Sequence, residues 1–159
     1  MTEHTTAAQT TAAQTTAAQT TAAGAPSPDH IMQTATAFWA SKTLLTAVEL
    51  DLFTRLGDGP LTASRIGEAL GLHPRGTLDF LDALVALRFL EREGDGPDAR
   101  YANTPETAAF LDARSPTCIG GMPKMLNSRL FGFWNHLGEA LRTGKPQNET
   151  RGGGRRMFE

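Results

Sequence analysis

The stretch that decides the fold is residues 61–105, with the sequence LTASRIGEALGLHPRGTLDFLDALVALRFLEREGDGPDARYANTP. Thr62 carries a hydroxyl that can cap the start of a first helix, and Gly71 is the residue type that commonly ends one. Pro74 suits the first turn of a second helix, because an N–H at that position has no partner within the helix. The stretch therefore begins with two predicted helices joined by a short turn.

The second predicted helix has two chemically different faces. Apolar residues recur at helical spacing and predict the face that packs on the core, namely Leu78, Leu81, Leu84, Val85 and Leu87. The opposite face is predicted to carry Arg75, Thr77, Asp79, Asp82 and Ala86. Helices that read the major groove of DNA place basic or amide side chains there, and carboxylates repel the phosphates. Apart from Arg75, this helix lacks the side chains expected of a DNA-reading helix.

Two short strands are predicted after the helices, at residues 89–93 and 100–103, around a loop over residues 94–99 that contains glycine and proline. This order of elements predicts a winged helix, so the fold class is mainly α with a short two-stranded wing. A winged-helix transcription regulator that binds DNA is one functional alternative. Asp95 and Asp98 in the predicted wing argue against it, because they place negative charge where DNA phosphates would lie.

Composition limits the partners of the chain. Its 159 residues and formal charge of −2 allow one small domain with tails, and give no electrostatic reason to expect nucleic acid or an anionic membrane as a partner. No apolar run approaches the ~20 residues that span a bilayer, and the start lacks a basic signal segment, so we expect a cytoplasmic protein. The single cysteine, Cys118, is predicted to pack as a small apolar residue. The spacing of histidine, cysteine and carboxylate residues predicts no metal site.

The two ends of the chain differ in composition from its middle. Near the start the sequence TTAAQ occurs three times in succession, so residues 1–26 are predicted to be a disordered Thr/Ala/Gln repeat tail. Residues 145–159 are polar and glycine-rich, and we interpret them as a linker. The glycines at residues 152–154 lack the preceding strand and following helix that a phosphate-binding loop requires. The globular domain is therefore predicted to cover residues 27–144.

Before the winged helix, two apolar helical pieces are predicted, at residues 31–39 and 44–53, after a start at Ser27 and Pro28. Together they are more apolar than docking on a small domain requires. Large apolar surfaces of this kind commonly mark contacts with a partner chain. The candidates for a dimer interface are Met32, Phe38 and Trp39. The alternative is that these three side chains pack on the winged helix of the same chain.

After the wing, Thr104 can cap a helix that starts at Pro105 and extends to Leu111. The segment that follows from Ser115 is predicted to be irregular, because it contains adjacent glycines and a further proline. A last apolar helix is predicted over residues 130–141 and is expected to end at a glycine, Gly144.

Several pieces of the sequence occur in an order that resembles one protein family. They are FWASK at residues 38–42, AVELDLF at 47–53, TASRIGEALG at 62–71, LDALVAL at 81–87, YANTPE at 101–106 and ALRTGKP at 140–146. In this order they resemble the N-terminal dimerisation domain of bacterial and plant-type S-adenosylmethionine-dependent O-methyltransferases, which modify small aromatic or polyketide metabolites. The resemblance covers residues 27–159. Its specificity lies in the ordered set, since each piece alone is short.

The resemblance implies that the chain forms a homodimer through a winged-helix-like helical dimerisation domain. It also implies that the segment before Trp134 forms part of the wall of the acceptor pocket, which selects Met125, Asn127 and Phe131 as candidate substrate-wall residues. Apolar walls with a few polar groups suit aromatic ligands. The alternative interpretation gives Met125 and Phe131 a role in core packing, and Asn127 a capping or turn role.

The second domain of that family, which binds S-adenosylmethionine and holds the catalytic base, has no counterpart in this sequence. No Asp/Glu-x-Gly-x-Gly-x-Gly turn follows an apolar strand. We therefore expect no catalytic, cofactor-binding or metal-binding residues here, and no methyl transfer by this chain alone. A small aromatic or polyketide acceptor is expected only if a catalytic domain is supplied, and residues 145–159 are expected to lead toward that absent domain. The chain is accordingly expected to be a truncated gene product, an excised domain or one half of a split enzyme.

Overall fold

The computed structural model describes residues 26–148, and within this range the chain is mainly helical with one small sheet. The helices are α1 (Asp29–Glu49), α2 (Leu52–Arg55), α3 (Ala63–Leu70), α4 (Pro74–Ala86), α5 (Pro105–Phe110), α6 (Gly121–Met125), α7 (Phe131–Trp134) and α8 (Leu137–Thr143). A π-helical segment, Leu126–Leu130, joins α6 to α7. The strands are β1 (Leu61–Thr62), β2 (Leu90–Glu93) and β3 (Arg100–Asn103). The predicted tail up to residue 25 and the linker residues 149–159 lie outside the described residues.

The first helix is longer than the sequence predicted. We expected two helical pieces, but α1 is one helix of 21 residues that begins at Asp29 and runs without interruption to Glu49. No glycine or proline lies between the two predicted pieces, so nothing interrupts the helix there. The break comes at Asp51, which has a positive φ of 56°. Aspartate tolerates this left-handed conformation better than most residues, and α2 begins directly after it.

The predicted helix ends of the winged helix are confirmed. Thr62 accepts a hydrogen bond from the Arg65 N–H and caps α3, and Gly71 ends that helix with a φ of 65°. Pro74 is the first residue of α4. The cap of α4 is His73, whose side chain accepts a hydrogen bond from the Arg75 N–H at 3.3 Å. Local contacts thus fix where α3 and α4 begin and where α3 ends.

The wing has one strand more than predicted. Strands β2 and β3 pair as an antiparallel hairpin, and β1 pairs with the other edge of β3, so the strand order is β1-β3-β2. Leu61 lies opposite Tyr101, and Thr62 lies opposite Arg100. Strand β1 has two residues, which is too short to show the alternation that identifies a strand. The mainly helical winged-helix class is confirmed, with a sheet of three strands.

The predicted core face of α4 is wrong in its first part, because the helix is rotated differently about its axis. Leu81 and Leu84 are fully buried, as predicted, but Leu78 is 45% exposed and Thr77 is buried. Thr77 packs against Gly67 of α3, where an added Cβ would lie 3.4 Å from the Thr77 hydroxyl. The start of α4 thus buries a threonine and leaves the following leucine largely exposed. The hydroxyl of Thr77 donates to the His73 carbonyl at 3.0 Å.

The core lies between α1, α2, the winged helix and β3. Its largest fully buried side chains include Phe53, Leu52, Ile66, Leu81, Leu84 and Tyr101. Outside the core, Arg114 joins the end of α2 to the segment after α5. Its guanidinium donates to the Thr54 carbonyl at 3.2 Å, and to the Asp112 carboxylate at 3.0 and 3.1 Å. These bonds hold the pKa of Asp112 below its ordinary value and raise that of Arg114.

The last predicted helix is interrupted. We expected one helix over residues 130–141, but α7 ends at Trp134 and α8 begins at Leu137. The intervening residues form a turn in which the His136 N–H donates to the Phe133 carbonyl at 3.0 Å. The predicted end is confirmed, since Gly144 closes α8 with a φ of 65°. The turn separates two short helices whose apolar side chains are largely exposed.

A buried phenol joins α4 to the wing and yields a test of the fold. The Tyr101 hydroxyl donates to Asp82 at 2.8 Å, and burial together with this carboxylate raises the pKa of Tyr101 from 10.0 to about 12. We expect the neutral phenol to stabilise the folded state fully below about pH 10, and this contribution to be lost as the pH rises toward 12. Tyr101 is the only tyrosine in the sequence, so a near-ultraviolet absorbance titration measures its pKa directly.

Removing the Asp82 carboxylate tests how much it contributes to the raised pKa of Tyr101. In an Asp82→Asn variant the pKa of Tyr101 is expected to fall toward 10, while burial keeps it above that value. Asp79→Asn, at an exposed position of the same helix, is the control and should leave the titration unchanged. A wild-type phenol that titrates near pH 10 would contradict the buried contact between α4 and β3.

Candidate functional site

The N-terminal half of α1 projects from the domain and is apolar. The buried residues of α1 all lie in its C-terminal half. By contrast, every residue from 29 to 40 except Thr36 is exposed, including Ile31 at 69% and Met32 at 55%. Phe38 and Trp39 are 51% and 63% exposed, and their rings meet edge to face with centroids 5.5 Å apart. All three predicted interface residues are therefore more than half exposed and lie on an apolar surface.

A second apolar surface lies on α7 and α8. Trp134, Leu137 and Leu141 are 69%, 44% and 78% exposed. The sequence predicted an apolar helix here and gave no sign that its apolar side chains would be exposed. A shallow cavity of about 210 Å³ lies beside it, lined by Phe133, Trp134, Leu137, Ala140, Gln147 and Asn148. Both apolar surfaces exceed the scattered exposure that is normal for a protein surface.

The three candidate substrate-wall residues share one helical segment that packs on α1. Met125, Asn127 and Phe131 are each half-buried, at the end of α6, in the π-helical segment and at the start of α7. A π-helical turn widens a helix locally and occurs frequently at functional sites. The predicted wall residues therefore lie in an irregular part of the chain whose shape depends on its contacts with α1.

Asn127 lies between two charged side chains of α1. Its amide oxygen accepts a hydrogen bond from the Lys42 ammonium, and its amide nitrogen donates to the Glu49 carboxylate. The Lys42 ammonium also lies 4.9 Å from the centroid of the Phe131 ring, within the range of a cation–π contact. The side chain of Asn127 thus joins two segments far apart in sequence. This contact differs from the capping or turn role that the alternative interpretation gave to Asn127.

Lys42 and Glu49 were not predicted as site residues. Their signal in the sequence is their spacing, since residues seven apart in a helix lie on the same face, two turns from each other. Nothing in the sequence indicates that Asn127 lies between them. Farther along the same contact, Lys124 of α6 pairs with Asp51 at 2.6 Å. Polar and ionic contacts therefore attach the candidate wall to α1 through Lys42 and Glu49, and to the turn after α1 through Asp51.

Two other clefts have linings that restrict what they can bind. One, of about 730 Å³, is lined by oppositely charged groups, and its Arg114–Asp58 and Lys124–Asp51 pairs neutralise each other. The other, of about 690 Å³, lies between α3, α4 and the wing and is mostly apolar, with Leu78 and Pro97 in its lining.

The surface that would meet DNA carries carboxylates. Asp79 is exposed on α4, and Asp95 is exposed in the wing. Arg92 of the wing is engaged by Asp82 at 3.3 Å and by Asp95 at 3.7 Å. Arg75 at the start of α4 is exposed, as the sequence predicted. The charge of this face therefore opposes binding to a phosphate backbone.

Among residues 26–148, no three histidine, cysteine or acidic side chains come close enough to hold a metal ion. In the same range, no helix combines the length and apolarity required to cross a bilayer. Cys118 is half-buried and accepts a hydrogen bond from the Gly120 N–H at 3.3 Å.

The sequence matches a described family and several curated proteins. Residues 32–113 match the family model for the O-methyltransferase dimerisation domain. The chain is 48% identical over 126 residues to the tetracenomycin polyketide synthesis 8-O-methyl transferase TcmO of Streptomyces glaucescens. The aligned residues cover 79% of this chain and 36% of TcmO. It is 40% identical over 116 residues to the N,N-dimethyltransferase OxyT of Streptomyces rimosus, covering 72% and 32% of the two chains. The chain thus spans about a third of the length of these relatives.

Solved structures with the same architecture are also methyltransferases. The human N-acetylserotonin methyltransferase in complex with SAM superposes with a TM-score of 0.69 at 29% identity, over 77% of this chain and 36% of that chain. The structure of PigF with SAH superposes with a TM-score of 0.70 at 27% identity, over 82% of this chain and 38% of that chain. These matches favour the methyltransferase interpretation over the DNA-binding alternative.

The attachment of the wall segment to α1 can be tested by hydrogen exchange. Replacing Asn127 with alanine removes the bonds to Lys42 and Glu49, so the amides of residues 121–134 are expected to exchange several-fold faster. The amides of β2 and β3 should keep their wild-type rates, because they do not depend on this contact. Ser128→Ala, at the exposed neighbouring position, is the matched control. Equal exchange in the two variants would show that Asn127 does not hold the segment.

Proposed function

Because the chain belongs to the family of O-methyltransferase dimerisation domains, we propose that it forms a homodimer and contributes one wall of the acceptor site of a small-molecule O-methyltransferase. The observation that carries the proposal is the apolar N-terminal half of α1, whose large apolar side chains are exposed among residues 26–148. The carboxylates on α4 and in the wing disfavour the alternative of a DNA-binding regulator.

A second copy of the chain is the partner that this surface fits. Apolar side chains occur on more than one side of residues 29–40, as expected for a helix that becomes buried. In a two-fold dimer the same patch of each subunit contributes to the interface, and Met32, Phe38 and Trp39 would be covered together.

The acceptor wall is proposed to consist of Met125, Asn127 and Phe131. Methionine and phenylalanine offer adaptable apolar surface to a flat ring, and the Asn127 amide offers a hydrogen-bond donor and an acceptor. The relative TcmO acts, by its name, in polyketide synthesis. We therefore propose a hydroxylated aromatic or polyketide molecule as the acceptor class, for the enzyme in which this domain works with a catalytic domain.

The methyl donor is proposed to bind outside residues 26–148. The human and PigF structures contain SAM and SAH, respectively. A class I site for such a ligand requires a buried strand, a glycine-rich turn and a helix whose N-terminus faces the ligand. Within residues 26–148 the sheet is a short antiparallel wing, and none of its strands leads into such a turn. The described part of the chain is thus proposed to supply neither the cofactor site nor a catalytic residue.

The dimer is tested by sedimentation of the full chain at tens of micromolar, where we expect a dimer. Trp39→Asp places a carboxylate in the proposed interface and is expected to weaken association at least about ten-fold, equivalent to about 1.4 kcal/mol. Leu78→Asp, which adds the same charge at an exposed apolar position of α4, is the matched control and should remain dimeric. A wild-type monomer, or equal weakening by both substitutions, would contradict an interface on α1.

The cofactor proposal is tested by calorimetry. We expect no saturable binding of S-adenosylmethionine or S-adenosylhomocysteine to this chain, even at millimolar ligand, because residues 26–148 offer no strand-turn-helix site. The human N-acetylserotonin methyltransferase, whose structure contains SAM, is the positive control. Binding of one ligand per chain would overturn the proposal and direct attention to residues 149–159.

A further inference from the structure

The amide of Asn127 is held between two opposite charges on the same face of α1. Lys42 lies on the oxygen side of the amide, and Glu49 lies on the nitrogen side. Both charged side chains are exposed, whereas Asn127 is half-buried. The amide is therefore the more buried partner in a contact whose two ends differ in charge.

The two charges discriminate between the two orientations of the amide. Its oxygen and nitrogen occupy nearly equivalent positions, so packing alone distinguishes them poorly. An ammonium group only donates hydrogen bonds, and an ionised carboxylate only accepts them. In the reversed orientation the amide N–H groups would face Lys42 and the amide oxygen would face Glu49, which loses both hydrogen bonds and adds repulsion. The observed orientation is the one that satisfies both charges.

The surrounding contacts hold the charges in place. The Lys42 ammonium is placed over the Phe131 ring at 4.9 Å. One turn earlier in the wall segment, Lys124 pairs with Asp51 at 2.6 Å. With Lys42 and Glu49 both engaged, the amide retains one N–H and one oxygen lone pair for a further partner, each in a fixed position.

We propose that Lys42 and Glu49 are positioning residues that fix the orientation of the Asn127 amide, and so decide where the acceptor wall offers a donor and where it offers an acceptor to a hydroxylated aromatic molecule. The inference rests on the proposed function of Asn127 as a wall residue. It assigns to α1 a second role: the helix whose exposed half forms the proposed dimer surface also sets the polarity of the wall.

A charge exchange tests the inference in the full chain. In the double variant Lys42→Glu with Glu49→Lys the charges trade places, so the amide is expected to reverse and keep both hydrogen bonds. With selective asparagine labelling, nuclear Overhauser contacts from the Asn127 side-chain NH₂ are expected to residue 49 in the wild type and to residue 42 in the double variant. Contacts that remain with residue 49 after the exchange would overturn the inference.

Further variants separate orientation from general packing. Lys42→Arg keeps the charge and should keep the wild-type contacts. The neutral pair Lys42→Met with Glu49→Gln removes the charge preference and should give contacts to both positions, and it keeps the test decisive if the exchanged pair does not fold. Arg65→Glu with Glu68→Arg exchanges an exposed ion pair on α3 and should change nothing at Asn127.

A titration with 2-naphthol distinguishes failure of this inference from failure of the proposed function. With a catalytic domain supplied, 2-naphthol is expected to shift the side-chain amide resonance of Asn127 in the wild type. Absence of that shift together with a reversed amide in the exchanged variant would overturn the acceptor wall and leave the positioning role of Lys42 and Glu49 intact. An unreversed amide overturns the positioning role whatever 2-naphthol does.

Discussion

The continuity of α1 is the constraint on which the rest of the structure depends. Its C-terminal half places Leu45, Ala47 and Val48 in the core, so the direction of the whole helix is fixed by packing that this chain supplies itself. The N-terminal half must follow the same axis, and it carries a row of apolar side chains away from the domain. Core packing therefore determines the position of the proposed dimer surface. Substitutions in the buried C-terminal half of α1 would shift that surface, although none of its own side chains would change.

The winged helix shows how a common architecture serves a purpose other than binding nucleic acid. Its helices are bounded by short-range caps, and its wing is joined to α4 through Tyr101, Asp82 and Arg92. In this arrangement Arg92 of the wing is neutralised by the carboxylates of Asp82 and Asp95. The scaffold is thus stabilised by the same charges that make it unsuitable for phosphate contacts. Function follows from the side chains placed on the fold and not from the fold itself.

Local chemistry explains which features the sequence predicted. The ends of helices at Thr62, Gly71, Pro74, Thr104 and Gly144 were predicted because each depends on neighbouring residues and on backbone preference. The features that were missed depend on contacts distant in sequence. The third strand pairs with β3, Thr77 packs against Gly67, and Asn127 bonds to Lys42 and Glu49 of α1. A single sequence contains these residues but does not show which of them meet.

The π-helical segment has a further consequence for how this part of the chain can change. A π turn contains one residue more than an α turn, yet both complete one revolution, so each residue of the π turn rotates the chain by a smaller angle. Loss of one residue within Leu126–Leu130 would therefore restore regular α-helical bonding while α7 keeps nearly its present orientation relative to α6. Phe131 would remain near Lys42, and the change would be confined to the widened turn that holds Asn127. A one-residue deletion at this point therefore alters the wall locally, without turning the elements that follow it.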